Sequence, residues 1–274
     1  MTIDFTAIDF NASGNLLVLG YPPLTGIDGL VHCIERDTGI RVIGWALGVR
    51  SLDLKNGHMK PVNYEHRHKS KHADTPYIRD RRSATLTGNL LIQISDNDLP
   101  DDICESLEDR IESLRFCGGN IRLGESGVSL WHTTYDALRL IAVSHEQSPF
   151  FLEDKSQLLD EAPAGLSKTE WLMDLTAGPY RNEDGDFVYA HGQDFLGYLI
   201  PTINGYQLLE EPREREELRN EYKHAHGEAT IGLGRLRSLG SLMTHWNEAT
   251  DNGVEIYWFG SFGPDPKTWR LLTF

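Results

Sequence analysis

Between Lys55 and Arg82 the chain reads KNGHMKPVNYEHRHKSKHADTPYIRDRR, and Pro61 and Pro76 interrupt any regular element there. The runs on either side are strand-like. Arg41 to Leu54 (RVIGWALGVRSLDL) is one, and Ser83 to Ser95 (SATLTGNLLIQIS) is the other, with Thr85, Thr87, Leu91 and Ile92 suited to a pleated surface. A fold containing both must carry the intervening segment as an extended hairpin or as a long excursion between neighbouring strands. Its charge is as unusual as its position. Eight Lys/Arg stand against three Asp/Glu, a local net charge of +5, while the remaining 18 basic and 38 acidic residues leave the rest at −20. An acidic body stays dissolved without a cationic arm, but a polyanion site needs one. His58, His66, His68, His72, Tyr64 and Tyr77 lie among the charges and suit phosphate hydrogen bonding or base stacking. The competing reading is a solvated loop whose charge is incidental.

A chain of 274 residues makes one large domain or two small ones and buries a core without staples. The first residues, MTIDFTAIDFNASGN, have neither a basic nor an apolar leader region, so no signal peptide is expected. The apolar runs Leu16–Leu19 and Leu90–Ile94 are too short to span a bilayer, which argues against a membrane partner. Cys33, Cys104 and Cys117 are odd in number and lack CxxC spacing, as expected of reduced thiols in a cytoplasmic protein without a structural metal. A net charge of −15 opposes nucleic-acid binding by bulk attraction, so any such contact is local or helped by a partner.

The periodicities predict strand, helix, strand, long loop, strand, helix, strand, then a less regular half. Ile3, Phe5, Ile8 and Phe10 mark a first half-buried strand. Thr25 to Arg36 is a helix with Ile27, Leu30, Val31 and Ile34 on one face, stopped at Gly39. Asp101 to Phe116 is a second helix, capped by Asp101 or Asp102 and ending at Cys117-Gly118-Gly119. Asn120 to Leu123 reads as a strand, and Tyr135 to Ser144 as helix or strand. Ser167 to Leu175 reads as a short helix, and Phe195 to Thr202 as a strand followed by an Asn204-Gly205 turn. Glu210 to Tyr222 is a solvated helix or helical loop, Arg235 to Asn247 a helix, Gly253 to Phe262 a strand, and Trp269 to Phe274 a closing strand. The fold class expected is α+β: a ferredoxin-like (RRM-like) antiparallel sheet with an inserted basic thumb and an irregular C-terminal half. Residues 1–145 form the core with the thumb at 55–82, and residues 146–274 continue and complete it.

Several clusters invite chemistry. Gly232-Leu233-Gly234 to Gly240 lacks GxGxxG or GK[ST] spacing, so a nucleotide loop is not expected, but Arg235 and Arg237 beside glycine permit a backbone-phosphate contact at what reads as a helix start. The island histidines lack carboxylate partners or HExxH, so no metal is assigned to them. His32 beside Val31 reads as a helix-packing histidine. Cys117 sits on a turn that could expose a reactive thiol, although nothing in the sequence lowers its pKa. The double glycine equally lets a backbone approach RNA or a neighbouring subunit. Trp131, Trp258 and Trp269 read as core or interface anchors.

Four ordered blocks carry a resemblance. They are Gly20-Tyr21-Pro22-Pro23 through Gly29-Leu30-Val31-His32-Cys33-Ile34-Glu35-Arg36; Leu114-Arg115-Phe116-Cys117-Gly118-Gly119-Asn120-Ile121; Gly197-Tyr198-Leu199-Ile200-Pro201 with Gly205-Tyr206; and Ile231-Gly232-Leu233-Gly234 ahead of a Trp-containing C-terminus. In this order and over nearly the whole chain, they resemble the Cas-five-type subunit (Csy-two family) of type I-F CRISPR surveillance complexes. The resemblance implies a non-catalytic, cofactor-free RNA-binding protein with a ferredoxin-like core and a thumb. It would hold the 5′ handle of the guide crRNA at one end of a Cascade-type assembly. Its partners would be Cas-seven-type backbone subunits and a Cas-eight-type or variant large subunit, with target DNA met through the complex. Lys60, Arg67, Lys69, Lys71, Arg79, Arg81 and Arg82 would then neutralise phosphates, with Tyr64 and His68 stacking or hydrogen-bonding. Arg115, Gly118, Gly119 and Arg122 would meet splayed bases, and Arg235 and Arg237 a further stretch of backbone.

Two other functions fit the same residues. A metal-independent endoribonuclease of the Cas type, processing the repeat RNA, could use Tyr64, His68 and Lys69 for acid–base work and charge stabilisation. A protein-binding scaffold would dock the island on an acidic partner.

Overall fold

The structure is a computed structural model that describes residues 1–13, 18, 20–55, 82–95, 99, 102–190, 197–214, 223–248, 256–262 and 267–273. It is an α+β protein built on one large antiparallel sheet. The first half runs β1 (Thr2–Asn11), α1 (Leu24–Thr38), β2 (Val42–Leu54), β3 (Ser83–Ile94), α2 (Ile103–Ile111), β4 (Arg115–Phe116) and β5 (Gly119–Ser129). The second half runs α3 (Thr134–Ser144), β6 (Phe150–Asp154), α4 (Lys168–Thr176), β7 (Tyr180–Arg181), β8 (Phe187–Val188), β9 (Tyr198–Leu208), β10 (Gly227–Ser238), α5 (Leu239–Glu248), β11 (Trp258–Phe262) and β12 (Thr268–Thr273).

Alternation along the strands separates two cores. Trp45, Leu47, Leu90 and Ile92 face α1 and α2, where Ile27, Leu30, Val31, Ile34, Ile103, Leu107 and Ile111 complete the larger core. Ala46, Leu91 and Phe151 face the other way, against Leu138 and Ile141 of α3 and Leu239 and Leu242 of α5. Period 2 in the strands and period 3.6 in the helices therefore assign each residue its side. Gly39 ends α1 with φ 73° and its N–H on the Glu35 carbonyl.

The sheet order is β11-β12-β9-β10-β6-β2-β3-β1-β5-β4. Five of these ten strands come from residues beyond 145, so the half expected to be irregular supplies as much of the sheet as the first. Trp258 of β11 also pairs with Trp45 of β2, which closes β2, β6, β10, β9, β12 and β11 into a ring. The two indoles stack at 6.4 Å and are both buried. Their N–H groups are satisfied: Trp45 Nε1 donates to Asp28 Oδ1 at 2.9 Å and Trp258 Nε1 to the Leu152 carbonyl at 3.1 Å.

Other expectations are corrected. The second helix stops at Ile111, because Arg115 and Phe116 turn back to pair with β5, and Asp102 occupies the N-cap without a side-chain hydrogen bond; Asp101 lies outside the described residues. Of the two readings left open for residues 135–144, helix is the one found, capped by Thr133, whose hydroxyl accepts from the Asp136 N–H. Asn204-Gly205 is not a turn: β9 runs through it, Asn204 is buried, and a Cβ on Gly205 would lie 2.2 Å from the Trp269 carbonyl. Residues 235–238 are strand, and the helix begins at Leu239. Residues 210–214 are not helical, and Arg213 bridges to His224, while 215–222 lie outside the described residues. The His32 side chain is 66 % exposed between Asp28 and Glu35 and does not pack. Among the described residues no helix is long and apolar enough to cross a membrane.

Candidate nucleic-acid interface

The basic segment is rooted in the sheet at a defined place. Leu54 pairs with Ala84, the Lys55 N–H donates to the Ser83 carbonyl at 3.0 Å, and the Ala12 N–H donates to the Arg82 carbonyl at 2.8 Å. Lys55 and Arg82, which flank residues 56–81, thus continue the paired ends of β2 and β3. Lys60, Tyr64, Arg67, His68, Lys69, Lys71, Arg79 and Arg81 lie outside the described residues, as do the four island histidines. At the root, the Lys55 ammonium pairs with the carboxylate of Asp9, which takes a positive φ of 58° where the β1–β3 register shifts.

The Cys117-Gly118 turn closes against the same sheet end. Phe116 pairs with Gly119, leaving a two-residue loop in which Cys117 (φ 47°) and Gly118 (φ 82°) are both left-handed, the requirement of a type I′ hairpin turn. The Asn11 N–H donates to the Cys117 carbonyl at 3.1 Å and ties this turn to the end of β1. Gly119 is buried, and a Cβ there would lie 2.6 Å from the Phe10 backbone. The glycine serves strand-to-strand approach, and its own backbone is not open to a ligand; Gly118 is exposed. Cys117 is half-buried, and burial pushes its thiol up to about 12, so a reactive thiolate is not what the turn presents.

Arg115 and Arg122 are exposed, and neither has an ion-pair partner among the described residues. Phe116 and Ile121 point into the larger core, so Arg115, Asn120 and Arg122 project from the opposite face. Arg122 pairs with Thr6, Thr6 with Thr87, and Thr87 with Ser51. These four residues form a polar row across β5, β1, β3 and β2, and none of them is buried. Helices α3 and α5 cover the far end of this face, over Leu91 and Ala46, and leave the row next to the island's root.

Arg235 and Arg237 stand apart from this group. They lie on β10, separated from β5 by β6, β2, β3 and β1. They are not at a helix start. Arg235 Nε and Nη2 donate to Glu153 Oε2 at 2.9 and 2.6 Å, Arg237 Nη1 does so at 3.4 Å, and Lys155 reaches Oε1 at 2.6 Å. Burial disfavours the Glu153 charge, but hydrogen bonds and charge from Lys155 and Arg235 outweigh it and hold the carboxyl below its usual range. A depressed carboxylate pKa contributes stability that is fully present above the ordinary glutamate value of about 4.3 and is lost as pH falls below it. Melting temperature followed from neutral to acid pH will therefore drop in that range, and Glu153→Gln will flatten the drop; an unchanged profile in the variant would show that the pair is not linked to folding.

A deeper polar network lies on the same face as the row. The Arg50 side chain is 8 % exposed and that of Asp4 3 %; Arg50 Nη2 donates to Asp4 Oδ1 at 2.6 Å and Nη1 to Asn89 Oδ1 at 2.9 Å. The Ser126 N–H donates to Asp4 Oδ2 at 3.2 Å, and Gly124 leaves the carboxylate room that a Cβ, 2.2 Å away, would fill. Sequence reasoning missed this network, the row of Thr6, Ser51 and Thr87, and an exposed Tyr206 stacked on Trp269. Tyr206 carried a signal, since it ends the third of the four ordered blocks. Trp269 is half-buried and Trp258 fully buried, while Trp131 donates from Nε1 to Thr2 Oγ1 at 3.0 Å. No group of His, Cys, Asp and Glu among the described residues is arranged to hold a metal ion.

No protein-family model matches this chain, and no curated protein matches it in sequence.

Proposed function

We propose that this chain is a non-catalytic RNA-binding subunit of a type I-F CRISPR surveillance complex, holding the 5′ handle of the guide crRNA in the cytoplasm. The observation that carries the reading is the rooting of the +5 segment. Its ends, the Cys117-Gly118 turn, Arg115 and Arg122 all gather at one end of the sheet, beside a polar and incompletely covered face. Single-stranded RNA is bound by such a combination of a cationic track and an accessible sheet surface. The order β5-β1-β3-β2, all antiparallel, with α1 and α2 on one face, supports a ferredoxin-like core within the larger sheet, and the segment at 55–82 falls where a thumb would be inserted. Backbone and large subunits would flank it, and target DNA would be met through the assembly.

Tagged protein recovered from its host, with the attached nucleic acid sequenced, tests this. Short RNAs sharing one 5′ sequence, together with several protein subunits, are expected. Recovery of the chain without RNA, or with an acidic protein partner alone, overturns the reading in favour of a scaffold. A discrete product from metal-free incubation with repeat RNA, lost in His68→Ala, overturns it in favour of an endoribonuclease.

A further inference from the structure

At the same sheet end lies a cleft of about 260 Å3, between the end of β1, the start of α1 and the β9–β10 pair. Ile203 and Ala229 give it apolar surface, Asn11, Ser13 and Thr25 give it polar edges, and Tyr206 forms a wall. No charged side chain lines it among the described residues.

Tyr206 is 42 % exposed, and its Cα partner across the β9–β12 pair is Trp269. The two rings lie 6.0 Å apart at 21°. Backing by the indole holds the phenol in place, so little ordering remains to be done when a second ring stacks on it. The Ser13 N–H donates to Asn11 Oδ1 at 3.1 Å, which fixes the amide and leaves its NH2 to donate outward.

These features select a ligand class. A phosphate or carboxylate finds no counter-charge among the described lining residues. An aliphatic group leaves the amide and hydroxyls unmatched, at the cost of their desolvation. The volume is below the roughly 300–1,000 Å3 of drug-sized sites, which suits one ring system. A planar heterocycle with a hydrogen-bonding edge satisfies the wall and the edges together. We infer that the cleft holds one unpaired nucleobase of the bound RNA, stacked on Tyr206 with its edge toward Asn11, Ser13 and Thr25. This rests on the RNA-binding reading above and adds a base pocket separate from the cationic grip.

The test is fluorescence titration of the full chain with a single-stranded RNA of roughly eight nucleotides carrying 2-aminopurine at successive positions. Quenching on binding is expected at one position. Tyr206→Ala should abolish that quenching and weaken binding about 5- to 100-fold without changing the salt dependence, while Tyr206→Phe keeps both. Ala229→Trp fills the cleft with Tyr206 intact and should act as Tyr206→Ala does, which covers the case of an alanine variant that folds poorly. Wild-type affinity in Tyr206→Ala and Ala229→Trp, with binding still lost on reversing Lys69 and Lys71, overturns the pocket and leaves the RNA reading standing. Absence of RNA binding by the unaltered chain overturns both.

Discussion

The Lys69→Glu/Lys71→Glu variant is expected to purify without guide RNA, with circular dichroism and melting temperature unchanged from the parent. Each reversal changes the local charge by two, so the segment falls from +5 to +1. The surrounding body is at −20, and the remaining positive field is then too small to offset repulsion of a polyanion. Affinity for single-stranded RNA is expected to drop by on the order of 100-fold or more at physiological salt, and the salt slope to flatten by roughly 0.7 for each phosphate no longer neutralised. Anisotropy titrations at several salt concentrations check both numbers. Retention of RNA by the reversed protein would mean that the segment is not the grip.

Arg50→Met is the second large effect, and it falls on stability. Asp4 keeps its backbone donor from Ser126, and the His145 imidazole at 3.9 Å, but loses the guanidinium at 2.6 Å in a site where both side chains are nearly buried. Breaking one side of such a pair costs about 3–5 kcal/mol, because a charge is left buried without its counterpart. That is a large part of the roughly 5–15 kcal/mol that holds a typical domain together. Urea denaturation will show the loss, and Asp4→Leu combined with Arg50→Met will recover much of it. A single variant as stable as the parent would place the pair in effective contact with water.

How much was legible depended on where the determining contacts lay. The face of α1 was readable because Ile27, Leu30, Val31 and Ile34 repeat at the helical period and all four are buried. Of the strands flanking the basic segment, Ser83 to Ser95 was readable from Thr85, Thr87, Leu91 and Ile92, which suit a pleated surface. Strand β10 and the second half of β9 were not, because their glycines are chosen by neighbours distant in sequence. A Cβ on Gly232 would meet Asn204 Nδ2 at 2.3 Å, and one on Gly234 would meet Leu152 at 2.5 Å. Locally, GLGRLRSLG looks like a loop leading into a helix, and Asn204-Gly205 looks like a turn. In the fold Asn204 is an interior group, with Oδ1 accepting from Thr230 and Nδ2 donating to Ser156. The pairing of Arg235 and Arg237 with Glu153 across strands was hidden in the same way, as was the Trp45–Trp258 closure. At the candidate site, the turn at Cys117-Gly118 was legible in the sequence, but the burial of Gly119 against β1 was not. Nor was the cleft beside the turn, since its walls come from segments that only the sheet order brings together.

Ultraviolet cross-linking of bound single-stranded RNA, with the attached peptides identified by mass spectrometry, tests the grip most directly. Adducts are expected within 55–82, in the 115–122 hairpin and at Tyr206. Adducts confined to α4 and the β7–β8 hairpin, with these three regions unmodified, would contradict an RNA path over this end of the sheet.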